Sequence, residues 1–186
     1  MIDNYFKNCA KTTSGNHHKF FAARISDIDD ITISGDTTVT AISMDGLSLF
    51  AQANADIDTV GFTSTLTGKS RQFNACEFVA RFSKKTEQLM KFKNQLSDGV
   101  VCGLVIIRVD NDKNVFISGI NKDVMFSRPY DEIEANFNAG TSVEDIEEGN
   151  SYMITLRRNS PDEEYKLDST LAASVLAGTA PFISWE

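Results

Sequence analysis

The sequence has few of the residues that build metal centres and nucleophilic catalytic sites. It contains two His and three Cys in 186 residues. Cys9, Cys76 and Cys102 are too widely spaced for a C-x-x-C or Cys/His zinc site. The two histidines, His17 and His18, are adjacent, and neighbouring side chains on an extended chain point in opposite directions. We therefore expect no metal, no cofactor and no Ser–His or Cys–His catalytic pair.

Nucleotide-binding and nucleophile motifs are also missing. No G-x-x-x-x-G-K-[ST], G-x-G-x-x-G or G-x-S-x-G sequence occurs. Residues 67–70 (TGKS) match only the last positions of the G-x-x-x-x-G-K-[ST] motif. The segment Asp110–Asn114 resembles the start of a calcium loop. Val115 then stands where that loop needs Gly, and Asn121 where it needs Glu, which favours a hairpin turn. The sequence predicts a protein that is not an enzyme.

Basic residues are in the minority. Lys and Arg number 18 against 26 Asp and Glu, for a net charge of −8. Affinity for nucleic acid comes largely from Lys and Arg that displace counterions, so a duplex-binding surface is not expected. Asp27, Asp29 and Asp30 form an acidic cluster in which carboxylates could hold a hard cation. A solvated turn is the simpler interpretation of that cluster.

Long hydrophobic runs are missing as well. No run approaches the roughly 20 apolar residues that cross a bilayer, and the start, MIDNYFKNCAK, lacks the apolar stretch of a secretion signal. Hydrophobic residues make up 41% of the chain and charged residues 24%, which is typical of globular proteins. We expect a single globular domain with no membrane contact, made in a cytosol.

The clearest positive pattern runs from Gln72 to Ile120. A strand there has apolar side chains on one face, an amphipathic helix follows, and Val100–Val109 is apolar on both faces, as in a central strand. The helix is predicted between an N-cap at Ser83 and a stop at Gly99. The residues on the apolar faces are Cys76, Phe78, Ala80 and Phe82 in the strand and Leu89, Phe92 and Leu96 in the helix.

The remaining chain predicts short strands and two arms. Lys19–Ile25 and Val115–Ile120 are strands, Ile31–Ser34 and Thr38–Ser43 form a hairpin, and Tyr152–Arg157 is the last core strand. A helical turn is expected near Glu132–Phe137. The fold class is mainly β, an antiparallel sandwich or barrel with one packed α-helix. Its domain spans 19–168, with a long projecting hairpin at 44–71, an N-terminal arm at 1–18 and a C-terminal arm at 169–186.

Three stretches of the sequence resemble those of a known protein family. They are NCAKTTSGNHHKFFAARISDIDDITI, FVARFSKKTEQLMKFKNQLSDGVVCGLVIIRVDNDKNVFISGINKDVMFSRP and YMITLRR, in this order over roughly residues 8–168. The chain resembles the tail tube-like virion proteins of phages and prophages of Bacteroides and their relatives. The shared motifs are structural, so the resemblance predicts the fold of this chain more directly than its biological role.

The resemblance implies a structural subunit of a bacteriophage virion. Tail tube proteins are β-sandwich or barrel domains that close into rings, commonly hexamers, and the rings stack around a DNA-ejection channel. The expected partners are copies of the same chain, other tail or connector proteins, and phage genomic DNA that passes without specific binding. The expected location is the virion tail, after assembly in the cytoplasm of the bacterial host. The long hairpin and the arms would bridge subunits or successive rings.

Two other roles stay open. The chain could be a ring, connector or tail-terminator protein at the portal–tail junction. It could also be a non-catalytic binding module, such as an adhesin or a carbohydrate-binding sandwich, although no clear row of exposed aromatics supports this. For self-assembly, edge strands and apolar anchors are the expected contacts. The predicted subunit-interface residues are Phe50, Phe62, Phe182 and Trp185.

Overall fold

The described residues of the chain fold into two β-sheets and two helices. The computed structural model describes residues 19–35, 37–56, 60–67, 73–82, 86–110, 112–120, 134–138, 151–160 and 164–185. A single 3-10 turn lies at Ile25–Asp27. The strands and helices are β1 (Lys19–Arg24), β2 (Ile28–Ser34), β3 (Thr38–Met44), β4 (Ala51–Asn54), β5 (Gly61–Thr67), β6 (Phe73–Phe82), α1 (Glu87–Cys102), β7 (Leu104–Val109), β8 (Val115–Ser118), β9 (Glu134–Asn138), β10 (Ser151–Ser160), β11 (Tyr165–Leu167) and α2 (Ser169–Ala177).

The strands divide into a large sheet and a small one. The large sheet has seven strands in the order β2-β3-β11-β8-β7-β1-β4, and the small sheet has four in the order β5-β6-β10-β9. Neighbouring strands are antiparallel, except that β11 runs parallel to β3. The mainly β, largely antiparallel architecture expected from the sequence is therefore confirmed, with one parallel pair in the large sheet.

The large sheet is covered on both faces, as the doubly apolar pattern of β7 predicts. On one face, which we call the first core, Phe20 and Ile106 pack against the small sheet and α1. On the other face, the second core, Phe21 and Ile107 pack against the C-terminal segment. All four side chains are no more than 1% exposed. Burial of both faces explains why β1 and β7 carry apolar residues without alternation.

Strand β6 alternates as predicted. Asn74, Cys76, Phe78, Ala80 and Phe82 are buried, and the residues between them are half-buried. The inward aromatic rings meet Phe20 of the large sheet, whose ring centroid is 5.0 Å from that of Phe78 in an edge-to-face arrangement. Such aromatic pairs add to the stability that burial alone provides.

The predicted amphipathic helix is present, but it begins and ends later than expected. Its Leu89, Phe92 and Leu96 are buried in the first core. The Thr86 hydroxyl accepts a hydrogen bond from the Leu89 backbone N–H at 3.1 Å, which makes Thr86 the capping residue; Ser83 lies outside the described residues. At the other end the helix continues through Gly99 to Cys102.

The predicted start of the next strand at Val100 is therefore wrong. The reversal falls at Gly103, whose φ of 93° suits glycine. Gly99 is instead needed for packing, because a Cβ there would lie 2.6 Å from Leu104 Cδ2. Cys102 is the last helical residue rather than part of an apolar strand.

The predicted hairpin over 44–71 is also wrong. Its first half, β4, pairs with β1 in the large sheet. Its second half, β5, pairs with β6 in the small sheet, so the long hairpin of the structure spans Gly61–Phe82. β4 is distant in sequence from its partner β1. After the Asp45-Gly46 turn the chain runs from β3 to β4 at the far end of the same sheet, so the turn does not close two adjacent strands.

The predicted C-terminal arm belongs to the core. Asp168 caps α2, since its Oδ1 accepts a hydrogen bond from the Leu171 N–H at 2.7 Å, and Gly178 is the C-cap that follows Ala177. Val175 and Phe182 are buried in the second core. The arm interpretation is therefore wrong, and the fold has two packed helices rather than one in the described part of the chain.

Two smaller expectations are also corrected. The segment predicted to make a helical turn, Glu132–Phe137, contains strand β9. Strand β10 is not the last of the core, because β11 follows it and lies between β3 and β8. The predicted N-terminal arm at 1–18, with His17 and His18, lies outside the described residues.

Candidate functional site

Two of the four predicted interface residues lie inside the chain's own core. Phe50 is completely buried, and Phe182 is 3% exposed. Their rings contact each other, with centroids 6.2 Å apart. The backbone joins the same two segments, since the Phe50 N–H donates to the Phe182 carbonyl at 2.9 Å. Their assignment to a subunit interface is therefore wrong.

The other two predicted interface residues are half-buried. Trp185 packs edge to face on Phe21, with ring centroids 5.4 Å apart, and its indole Nε1 donates to the Ala180 carbonyl at 2.8 Å. Phe62, on β5, packs against the first core. Both therefore have contacts within the chain that account for their apolar rings.

Phe62 leads to a charged contact between the sheets that the sequence did not reveal. The guanidinium of Arg108, on β7, lies 5.4 Å from the ring centroid of Phe62 and 4.7 Å from that of Phe116, within cation–π range. Arg108 also pairs with Glu164, and its side chain is only 17% exposed. The available signal in the sequence was Arg108 itself, a lone charged residue in the apolar strand LVIIRV.

The acidic residues form no metal site in the described part of the chain. No group of three or more His, Cys, Asp or Glu there has the proximity to hold an ion. Asp110 serves the predicted hairpin turn, because its Oδ1 accepts from the Asn114 N–H at 2.7 Å and its Oδ2 from the Asn114 amide at 3.0 Å. The predicted turn is confirmed.

The outer face of the small sheet carries polar side chains. Thr63, Thr65 and Arg157 are exposed, and Thr155 is buried at the centre. Arg157 pairs with Glu77 across the strands, with Nε 2.6 Å from Oε2. Among the described strands, β5 and β9 each have one neighbour and form the two edges of this sheet. Such an edge can pair with a strand of another chain.

A groove lies beside β2, which is an end strand of the large sheet. Its volume is about 350 Å³, at the small end of the range for ligand sites. We call it the isoleucine groove, and its lining residues are Ile25, Ile28, Asp29, Asp30, Ile31, Ile33, Ile120 and Tyr165. The carboxylates of Asp29 and Asp30 are on exposed residues, so the groove combines an apolar floor with negative charge.

Neither helix of the described residues has the length and apolar character of a membrane-spanning helix. Among the described residues, the outer face of the small sheet and the isoleucine groove are two surfaces with the character of contact sites. No protein-family model, curated protein or solved structure matches the chain.

Proposed function

We propose that the protein is a structural subunit that assembles with copies of itself into stacked rings, as a tail tube protein of a bacteriophage does. The observation that carries the proposal is the small sheet, which has an end strand on either side and a polar outer face. Edge-to-edge pairing of β5 in one copy with β9 in the next would continue this sheet around a ring. The outer faces of successive copies would then line the channel.

The charges of that face support a channel for DNA. A lumen that lets DNA pass should hold few free cations, because each contact between a basic side chain and a phosphate adds affinity. Two cations of the described strands lie on this face: Arg81 on β6, which is half-buried, and Arg157 on β10, which Glu77 neutralises at 2.6 Å. The chain as a whole carries a net charge of −8. The expected interaction with DNA is therefore passage without specific binding.

The core arrangement supports a scaffold role. The large sheet, α1 and α2 bury the apolar residues and place the small sheet on one side of the domain. No cluster suited to metal binding lies among the described residues. We propose a non-enzymatic subunit of the virion tail, whose function lies in the contacts between copies. A connector at the portal–tail junction would share the ring and differ in forming no tube.

Negative-stain microscopy and mass measurement of the purified protein test the proposal. We expect rings, and at higher concentration tubes, with a mass that is a multiple of 20.5 kDa. Rings that never stack would favour the connector role. A monodisperse monomer at every concentration would contradict the proposal.

Proline substitution in β5 tests the edge pairing. Backbone N–H groups of an edge strand alternate between its own sheet and the open side, so Ser64 and Thr65 donate in opposite directions. The two variants are Ser64→Pro and Thr65→Pro. We expect the one that removes an N–H facing β6 to break the β5–β6 ladder and lower thermal stability. The one that removes an N–H facing the open side should leave the fold intact and abolish rings. Rings formed by the stable proline variant would exclude β5 as the joining edge.

A further inference from the structure

The isoleucine groove lies along an edge strand of the large sheet. Among the described strands β2 pairs only with β3, so its other edge can accept a further strand. Six of the eight described lining residues come from 25–33, a range that includes most of β2. A strand edge beside an apolar groove suits an extended peptide, because the edge supplies backbone hydrogen bonds and the groove receives side chains.

An irregularity in β2 brings two carboxylates to this groove. Adjacent side chains of a regular strand point to opposite faces, yet Asp29 and Asp30 both line the groove. The register of β2 against β3 shifts between Ile28 and Asp30, which makes Asp29 the extra residue of a β-bulge. The groove therefore has two negative charges near the start of β2 and the apolar Ile33, 41% exposed, near its end.

The basic residues next to the groove lining belong to the opposite face of the sheet. Arg24 is the cross-strand partner of Leu104, which is buried in the first core. Lys166 is the partner of Phe116, whose neighbour Ile117 is buried in the second core, so Phe116 and Lys166 lie on the first-core side. Neither cation is placed to neutralise the carboxylates of the groove.

These charges select the occupant of the edge. Residues 25–45 contain five Asp and no Lys or Arg, and the chain has a net charge of −8. Pairing of β2 with the β2 of a second copy would bring aspartates together, and like charges on neighbouring strands are destabilising. A basic strand would instead gain from opposite charges, which steer association and fix its register.

We propose that the isoleucine groove and the open edge of β2 bind an extended segment of a different, basic protein. The segment adds a strand beside β2. On its face toward the groove it carries Lys or Arg opposite Asp29 and Asp30, and about four residues along it carries an aliphatic side chain opposite Ile33. The proposed ring uses β5 and β9 of the small sheet, so this contact does not depend on the ring.

Two synthetic octapeptides with blocked ends test the contact. KTKTVTVT has two Lys and two Val on one face, and TVTVTKTK has them in the reverse order for a strand of opposite direction. We expect one of them to bind the purified protein with a Kd below about 1 mM by isothermal titration calorimetry, and more weakly at high salt. Replacing both Lys by Glu should abolish binding. Failure of both Lys peptides to bind would overturn the proposal.

N-methylation of the binding peptide tests strand pairing itself. The N–H groups of an added strand point alternately toward β2 and toward solvent. A methyl group on the backbone nitrogen of one central residue should therefore abolish binding, and the same change at the next residue should preserve it. Equal affinities of the two methylated peptides would contradict pairing along β2.

Removal of the two carboxylates tests the charge contact. Asp29→Asn with Asp30→Asn should weaken peptide binding about tenfold, as expected for the loss of two exposed ion pairs. Asp98→Asn with Asp112→Asn is the matched control, because both residues are exposed, lie outside the groove and change the net charge equally. The control should keep the parent affinity. Equal losses in the two variants would mean general attraction to an acidic protein and would contradict the site.

Ile33→Thr tests the apolar part of the groove while keeping a β-branched residue in the strand. We expect binding to weaken about threefold or more, because part of the apolar contact is lost. Leu47→Thr is the control, since Leu47 is 90% exposed and lies outside the groove. Circular dichroism checks that both variants are folded. Parent-like binding by folded Ile33→Thr would exclude the groove from the contact.

Discussion

The guanidinium of Arg108 and the carboxylate of Glu164 form a two-bond ion pair between β7 and the residue that precedes β11. Arg108 Nε donates to Oε1 at 2.9 Å, and Nη2 donates to Oε2 at 2.5 Å. The side chains are only 17% and 8% exposed. Two parallel bonds of this kind fix the orientation of both groups.

Removal of one member of this pair should be strongly destabilising. Glu164→Gln leaves the Arg108 guanidinium with no neutralising carboxylate at this partly buried position. We expect the free energy of unfolding to fall by about 3 kcal/mol, as measured by urea denaturation. The double variant Arg108→Met with Glu164→Leu should lose less free energy of unfolding than the sum of the losses of Arg108→Met alone and Glu164→Leu alone. The reason is that neither charge is left without its partner in the double variant. Additive costs in this cycle would contradict the coupling.

Alanine at Gly99 should destabilise the fold, although alanine normally favours a helix over glycine. The added Cβ would lie 2.6 Å from Leu104 Cδ2, and Leu104 is completely buried. We expect a loss of about 1–3 kcal/mol by urea denaturation. Asn94→Ala, at an exposed position of the same helix, is the control and should leave stability unchanged or slightly higher. A stabilised Gly99→Ala protein would show that Leu104 repacks freely.

Truncation of Phe182 should measure how much the C-terminal segment contributes to the stability of the second core. Phe182→Ala removes a ring that is 3% exposed and contacts Phe50, so we expect a loss of about 3 kcal/mol. Leu176→Ala is the matched control in α2, where the side chain is 43% exposed, and should change stability by less than about 0.5 kcal/mol. Equal effects from the two changes would contradict the packing described for this segment.

Trp185 provides a direct reporter of that packing, because it is the single Trp of the chain. Its ring contacts Phe21, so we expect acrylamide to quench its fluorescence more weakly in the native protein than in urea. The fluorescence and circular-dichroism transitions should coincide in urea, since the segment and the sheet unfold as one unit. A fluorescence change at clearly lower urea would mean that the segment undocks first.

Local patterns in the sequence predicted the local structure well. The spacing of Leu89, Phe92 and Leu96 identified the buried face of α1, and the alternation around Phe78 identified the inward face of β6. The Asp110–Asn114 turn followed from its residue types. Each of these features depends on neighbours within a few positions along the chain.

Long-range packing accounts for most of the errors. Gly99 is of the residue type that typically ends a helix, but here it allows the close packing of Leu104. The chain reverses at Gly103 instead. The pairing of β4 with β1 joins segments about 30 residues apart, which no local pattern specifies. The C-terminal helix could have been found, because Asp168 and Gly178 are typical of its two ends.

The position of β11 has a consequence for the timing of folding. β3 joins the rest of the large sheet through β11, which is the last strand of the described chain to be synthesised. A nascent chain that ends before Tyr165 therefore has a β2–β3 hairpin separated from its sheet, and an isoleucine groove that lacks one wall. Domains fold as units once their sequence has left the ribosome. The isoleucine groove is thus complete only after its own sheet has been fully synthesised.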